Sequence, residues 1–99
     1  MIDWQQLTNH LNRQSDLEGA REFDISRIAA SNRPSDNALI FASAPDEAAL
    51  ASMAKVNGCV MILPVKLREQ ASPIAKSNAV LFTDDPRYRF AEILNAVVN

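Results

Sequence analysis

ALIFASAPDEAAL, residues 38–50, changes character at one short joint. The apolar run Ala38-Leu39-Ile40-Phe41 stops at Ala42-Ser43-Ala44-Pro45 and gives way to an acidic, alanine-rich segment. That pattern predicts a strand over Ala38 to Ala42 feeding a helix over Pro45 to Val56. Pro45 suits a first helical turn, and Asp46 and Glu47 suit its positive end. Asn57-Gly58 supplies a C-terminal stop.

Working outward, CVMIL (59–63) and AVLFT (79–83) are continuous apolar runs, as expected of strands buried on both faces. Pro64 closes the first of them. VKLREQASPIAKSN (65–78) reads as a short helix or turn. DDPRYRFAEILNAVVN (84–99) starts a helix, with Asp84 or Asp85 as cap and Pro86 at the first position. Phe90, Ile93, Leu94 and Val97 form its apolar stripe.

Before residue 38, Trp4, Leu7 and Leu11 mark one face of a first helix that Asp3 is placed to cap. SDLEGA (15–20) breaks that pattern, with Gly19 as the turn. REFDISRIAA (21–30) predicts a first strand in which Phe23 and Ile25 alternate. Ile28 falls out of phase there, the sign of a bulge or bend. SNRPSDN (31–37) is a loop by composition. The order α-β-β-α-β-(α)-β-α predicts an α/β domain: a small, mostly parallel sheet of about four strands with helices on its faces. Residues 1–99 are the length of one domain.

Composition excludes several functions. A net charge of −2 and scattered basic residues give no face able to neutralise a nucleic-acid backbone, so no nucleic-acid partner is expected. No segment approaches the roughly 20 apolar residues of a membrane span. The first residues lack the basic start and apolar core of a signal peptide, and a cytoplasmic location is the simplest expectation.

Candidate chemistry is thin. His10 is the sole histidine and has no acidic or cysteine neighbour at ligand spacing, so no metal site is expected. Cys59, the sole cysteine, opens a buried-looking strand where a thiol behaves as a small hydrophobe. Asp84-Asp85 is more simply a helix cap than a catalytic carboxylate pair. Gly19 and Gly58 are the only glycines, and neither opens a phosphate-binding loop. No catalytic set and no cofactor are expected.

The joint at 41–47 keeps two readings. Phe41 lies at the carboxyl end of a strand, where open α/β sheets place ligands, and its ring could stack on a flat heterocycle while Ser43 bonds its edge. From spacing alone, Phe41 reads as core and Ser43 as a helix cap.

Over FDISRIAASNRPSDNALIFASAPDEAALASMAKVNGCVMILP and NAVLFTDDPRYRFAEILNAV the chain resembles the N-terminal domain of the bacterial UDP-3-O-acylglucosamine N-acyltransferases of lipid A synthesis. A related domain opens the muramyl peptide ligases. The resemblance implies that fold and a non-catalytic role in recognising a UDP-sugar during cell-envelope synthesis. It places substrate binding at Phe41, Ser43, Ala44, Pro45, Asp46 and Glu47. In the family this joint carries a motif like Phe-Leu-Ala-Asn-Pro-Lys-Tyr that helps hold uracil. Phe41 and Pro45 match it, whereas Ala44 stands where the family has asparagine and Glu47 where it has tyrosine. One half of an aromatic sandwich and an edge-reading amide are therefore absent from these positions. The family's acyl transfer is carried out by hexapeptide repeats that follow the domain, and no such repeat occurs in residues 1–99.

A rival expectation is a protein-interaction or assembly module that keeps the fold without the ligand. Its contact, to a partner or a second copy, would lie on an apolar patch around Trp4, Leu17 and Tyr88.

Overall fold

The computed structural model describes residues 2–98. It is an α/β structure with a five-stranded mixed sheet and three helices. The strands are β1 (Leu17–Gly19), β2 (Arg27–Ile28), β3 (Ala38–Phe41), β4 (Val60–Pro64) and β5 (Ala79–Thr83). The helices are α1 (Trp4–Asn12), α2 (Glu47–Met53) and α3 (Pro86–Val97). Single 3-10 turns, Val65–Leu67 and Ile74–Lys76, fill the β4–β5 connection where a short helix or turn was expected. The strand order is β1-β5-β4-β3-β2. β2, β3, β4 and β5 run parallel, while β1 joins the β5 edge antiparallel.

Side-chain alternation divides the core between the two sheet faces. Leu39, Val60, Ile62, Ala79 and Leu81 pack with Leu7 and Leu11 of α1 and Ile93 and Val97 of α3. Ala38, Ile40, Met61, Leu63 and Val80 pack with Met53 of α2 and with Ala71 and Ile74 of the β4–β5 connection. β4, at the centre, is buried at every position, which is why its sequence is continuously apolar. Each fully buried leucine or isoleucine contributes about 1.5–3 kcal/mol.

α1 and α3 lie antiparallel on their face. Ile2 and Val98 form a bridge at one end, and Arg89 reaches Gln14 and Asp16 at the other. Capping follows side-chain chemistry at each start. Asp3 accepts from the amides of Gln5 and Gln6 at 3.1 and 3.2 Å. Asp85 accepts from the amide of Tyr88 at 3.1 Å, with Pro86 opening α3 as expected.

The structure corrects the expected sheet in two places. The sheet has five strands and is mixed, because residues 17–19 form an edge strand where a turn was expected. Gly19 takes φ +92°, and the next amide, that of Ala20, donates to the carbonyls of Ala75 and Asn78 at 3.1 and 3.0 Å. The glycine thus ends a strand that is too short to show alternation. The strand expected over 21–30 shrinks to Arg27–Ile28. Ile25 is buried for a different reason: the Thr8 hydroxyl accepts from its amide at 3.0 Å and donates to its carbonyl at 3.3 Å. Those bonds hold residue 25 to α1 and not to the sheet ladder.

α2 is shorter than expected. Asp46 has the extended conformation of an N-cap, and its carboxylate accepts from the amide of Ala49 at 2.8 Å. Pro45 therefore stays outside the helix, which begins at Glu47 and ends at Met53. β4 begins one residue later than expected and includes Pro64, paired with Thr83. No helix among the described residues is long and apolar enough to cross a membrane.

Candidate functional site

The carboxyl ends of β3, β4 and β5 lie side by side because the three strands are parallel neighbours. Each is followed by a segment that turns away from the sheet, and the three turns enclose a depression of about 240 Å³. Ser43 lines it from the β3–α2 joint, Pro64, Val65 and Lys66 from the end of β4, and Thr83 and Asp84 from the end of β5. The Thr83 hydroxyl accepts from the amide of Asp85 at 3.3 Å, which ties the depression to the start of α3. Lys66 makes no salt bridge among the described residues and is exposed. The residues around this small concavity thus carry an ammonium, two hydroxyls and a carboxylate, with Pro64 and Val65 as its apolar members. The ammonium and hydroxyls suit anionic oxygens, and the Asp84 carboxylate suits a ligand hydroxyl.

The six residues expected to bind substrate are not gathered there. Phe41 is half-buried on the α1/α3 face, and its ring packs against Phe90 of α3 with centroids 4.4 Å apart and planes tilted by 31°. Ser43 and Ala44 are both exposed, and Ser43 does not cap α2, because Asp46 does. Pro45 is half-buried. Asp46 faces a separate shallow depression with Asn32, Ala48, Ala49 and Ser52. Glu47 lines a third, between α2 and the β4–β5 connection. Of the six, Ser43 alone lines the carboxyl-edge depression. Its other lining residues, Lys66 and Thr83 above all, were missed. Strand register carried the available signal: once 38–41, 60–64 and 79–83 are parallel neighbours, Lys66 and Thr83 lie at the same edge of the sheet as the end of β3.

The third concavity, about 360 Å³, is mainly apolar, lined by Leu50, Ala51, Ala54, Pro73 and Ile74 together with Glu47 and Gln70. The apolar patch expected around Trp4, Leu17 and Tyr88 does not form. Leu17 is buried in the core, and Trp4 and Tyr88 start two antiparallel helices and so lie at opposite ends of them.

Cys59 is fully buried, and its thiol donates to the carbonyl of Ser35 at 3.1 Å. Burial pushes its pKa up, the opposite of what an activated nucleophile requires. Among the described residues no three His, Cys, Asp or Glu side chains group in a way that could hold a metal ion.

No protein-family model, curated protein or solved structure matches this chain.

Proposed function

We propose that this chain is a recognition domain for a small phosphorylated ligand, of the nucleotide-sugar class, and that it does not catalyse by itself. The observation that carries this reading is that Ser43, Lys66, Thr83 and Asp84 line one depression at the carboxyl edge of three parallel strands. Lys66 would meet a phosphate, the two hydroxyls would bond its oxygens, and Asp84 would accept from a sugar hydroxyl.

A depression of about 240 Å³ lies below the roughly 300–1,000 Å³ of pockets that enclose a whole drug-sized ligand. It fits a phosphorylated head group, with the rest of the ligand lying across the surface. A UDP-sugar remains the ligand suggested by the resemblance to the N-acyltransferase domains, whose parent proteins act in lipid A synthesis. The base would then be held differently from the family's manner. Phe90 already packs on Phe41, and Ala44 and Glu47 offer neither the amide nor the second ring.

Calorimetric titration with UDP, UDP-GlcNAc and a dTDP-sugar, on the wild type and on Lys66→Ala, tests the reading. Binding that Lys66→Ala weakens about tenfold or more supports it, a loss within the range of a charge-assisted contact. Binding that is indifferent to Lys66, or absent for all three ligands, counts against it.

A second reading, a protein-interaction or assembly module, is favoured by the apolar groove beside α2. Sedimentation across a concentration series distinguishes it. Self-association abolished by Ala51→Glu supports the groove as a contact, and a concentration-independent monomer argues against self-assembly there.

A further inference from the structure

Gln14, just beyond α1, has every polar function of its side-chain amide engaged. Its nitrogen donates to the backbone carbonyl of His10 at 3.1 Å and also lies 3.3 Å from His10 Nε2, within reach of its second hydrogen. Its oxygen accepts from Arg89 Nη2 of α3 at 3.0 Å. Two of these three partners cannot change role, since a carbonyl only accepts and a guanidinium only donates. Turning the amide over would set oxygen against carbonyl oxygen and NH₂ against guanidinium. The orientation of Gln14 is therefore dictated by His10's carbonyl and by Arg89, and it obliges His10 Nε2 to accept. The imidazole must then be neutral, with its proton on Nδ1.

We propose that Gln14 is a latch between α1 and α3 that closes on neutral His10 and opens when His10 is protonated. Protonation sets an N–H on Nε2 against the N–H of Gln14. The clash is relieved by a turn or swing of the ring or of the amide; the latch is the case in which the amide moves, and either of its movements surrenders the bond to Arg89.

Partial burial of the ring is the largest influence holding His10 neutral, and the surrounding charges act in the same direction on balance. Arg13, one turn along α1, and Arg89, across on α3, both disfavour an imidazolium. Glu92 of α3 lines the same concavity as His10, but it lies 3.9 Å from Arg89 Nε. Asp16, after α1, also engages Arg89, at 3.3 Å. Gln6 and Asn9, on α1 beside His10, carry no charge. With burial as the larger cause and the two arginines adding to it, the His10 pKa falls below the ordinary 6.5. Gln14 lies three residues before the start of β1, and with the latch open that connection stays tied to α3 through Asp16 and Arg89.

The test is an NMR titration of the whole, isotope-labelled chain from neutral to mildly acid pH. The latch predicts the Nδ1–H tautomer of His10 at neutral pH. It also predicts that the Gln14 NH₂ and Arg89 Nε signals move with the same midpoint as the His10 ring. In Gln14→Ala the His10 midpoint rises toward the ordinary value, and the Arg89 signal ceases to follow it. In Gln14→Glu, whose carboxylate accepts from imidazolium, the midpoint rises further. The proposal is overturned if neutral His10 carries its proton on Nε2. It is equally overturned if Gln14 and Arg89 stay still while His10 titrates, or if both variants leave the midpoint where it was.

Discussion

The rings of Phe41 and Phe90 lie 4.4 Å apart, centroid to centroid, and tilt by 31°, so the end of β3 is pinned to the first turns of α3. This contact makes Phe41 part of the packing under α3, and it shifts the candidate ligand site from the aromatic ring to the polar strand ends beside it. A double-mutant cycle with Phe41→Leu and Phe90→Leu, read by urea denaturation, is expected to give a coupling of about 0.5–1.5 kcal/mol. No measurable coupling would free Phe41 for a stacking role.

Asn78 is expected to be among the costliest polar residues to replace. It is 1% exposed, accepts from the amide of Cys59 at 3.0 Å, and donates to the carbonyls of Val56 and Ile74 at 3.0 and 3.1 Å. One side chain thus ties together the start of β4, the segment after α2 and the second 3-10 turn. Asn78→Ala leaves three backbone groups without these partners and should destabilise by roughly 2–4 kcal/mol, read by urea denaturation. Asn78→Asp keeps the acceptor and loses both donors, so it is expected to be no better tolerated.

Gly19→Ala should damage the β1 edge. A Cβ there would stand 2.6 Å from the Asn78 carbonyl oxygen and 2.7 Å from that of Ala75, at a backbone φ of +92°. The loss expected is on the order of 2 kcal/mol or more, with faster amide exchange at residues 17–20 than in β4.

These residues show what was and was not legible in the sequence. β3, β4 and β5 were readable because a strand buried on both faces must be apolar throughout, and Asp85-Pro86 announced α3 chemically. β1 was hidden because Leu17-Glu18-Gly19 is too short for alternation, and its partner β5 lies far along the chain. The alternation of Phe23 and Ile25 misled because the Thr8 hydroxyl, a tertiary partner, fixes the backbone of Ile25. At the carboxyl-edge depression, Ser43 belongs to the strand–helix joint that the sequence singles out. Lys66, Thr83 and Asp84 come together through parallel register, which is a property of three strands and not of any one segment.

Cys59 should behave as an inert thiol. Buried and bonded to the Ser35 carbonyl, it is expected to react with a disulfide reagent at the rate of chain opening near neutral pH, and at once when the chain is unfolded in urea. The folded chain holds the thiol proton more tightly than the unfolded chain does. This contribution to stability is therefore full below the ordinary thiol value of 9.0 and is lost as the pH rises through the higher folded value. Cys59→Ala should remove that alkaline component, which thermal melts across an alkaline pH series will detect.

The central claim, that the carboxyl edge of the parallel strands is a ligand site, is tested most directly by mapping amide chemical shifts of the whole chain during titration with UDP-GlcNAc. The account predicts saturable shifts centred on Ser43, Val65, Lys66, Thr83 and Asp84, with the apolar groove at Ala51, Ala54 and Ile74 unmoved. Shifts centred on that groove, or none at all, would contradict it.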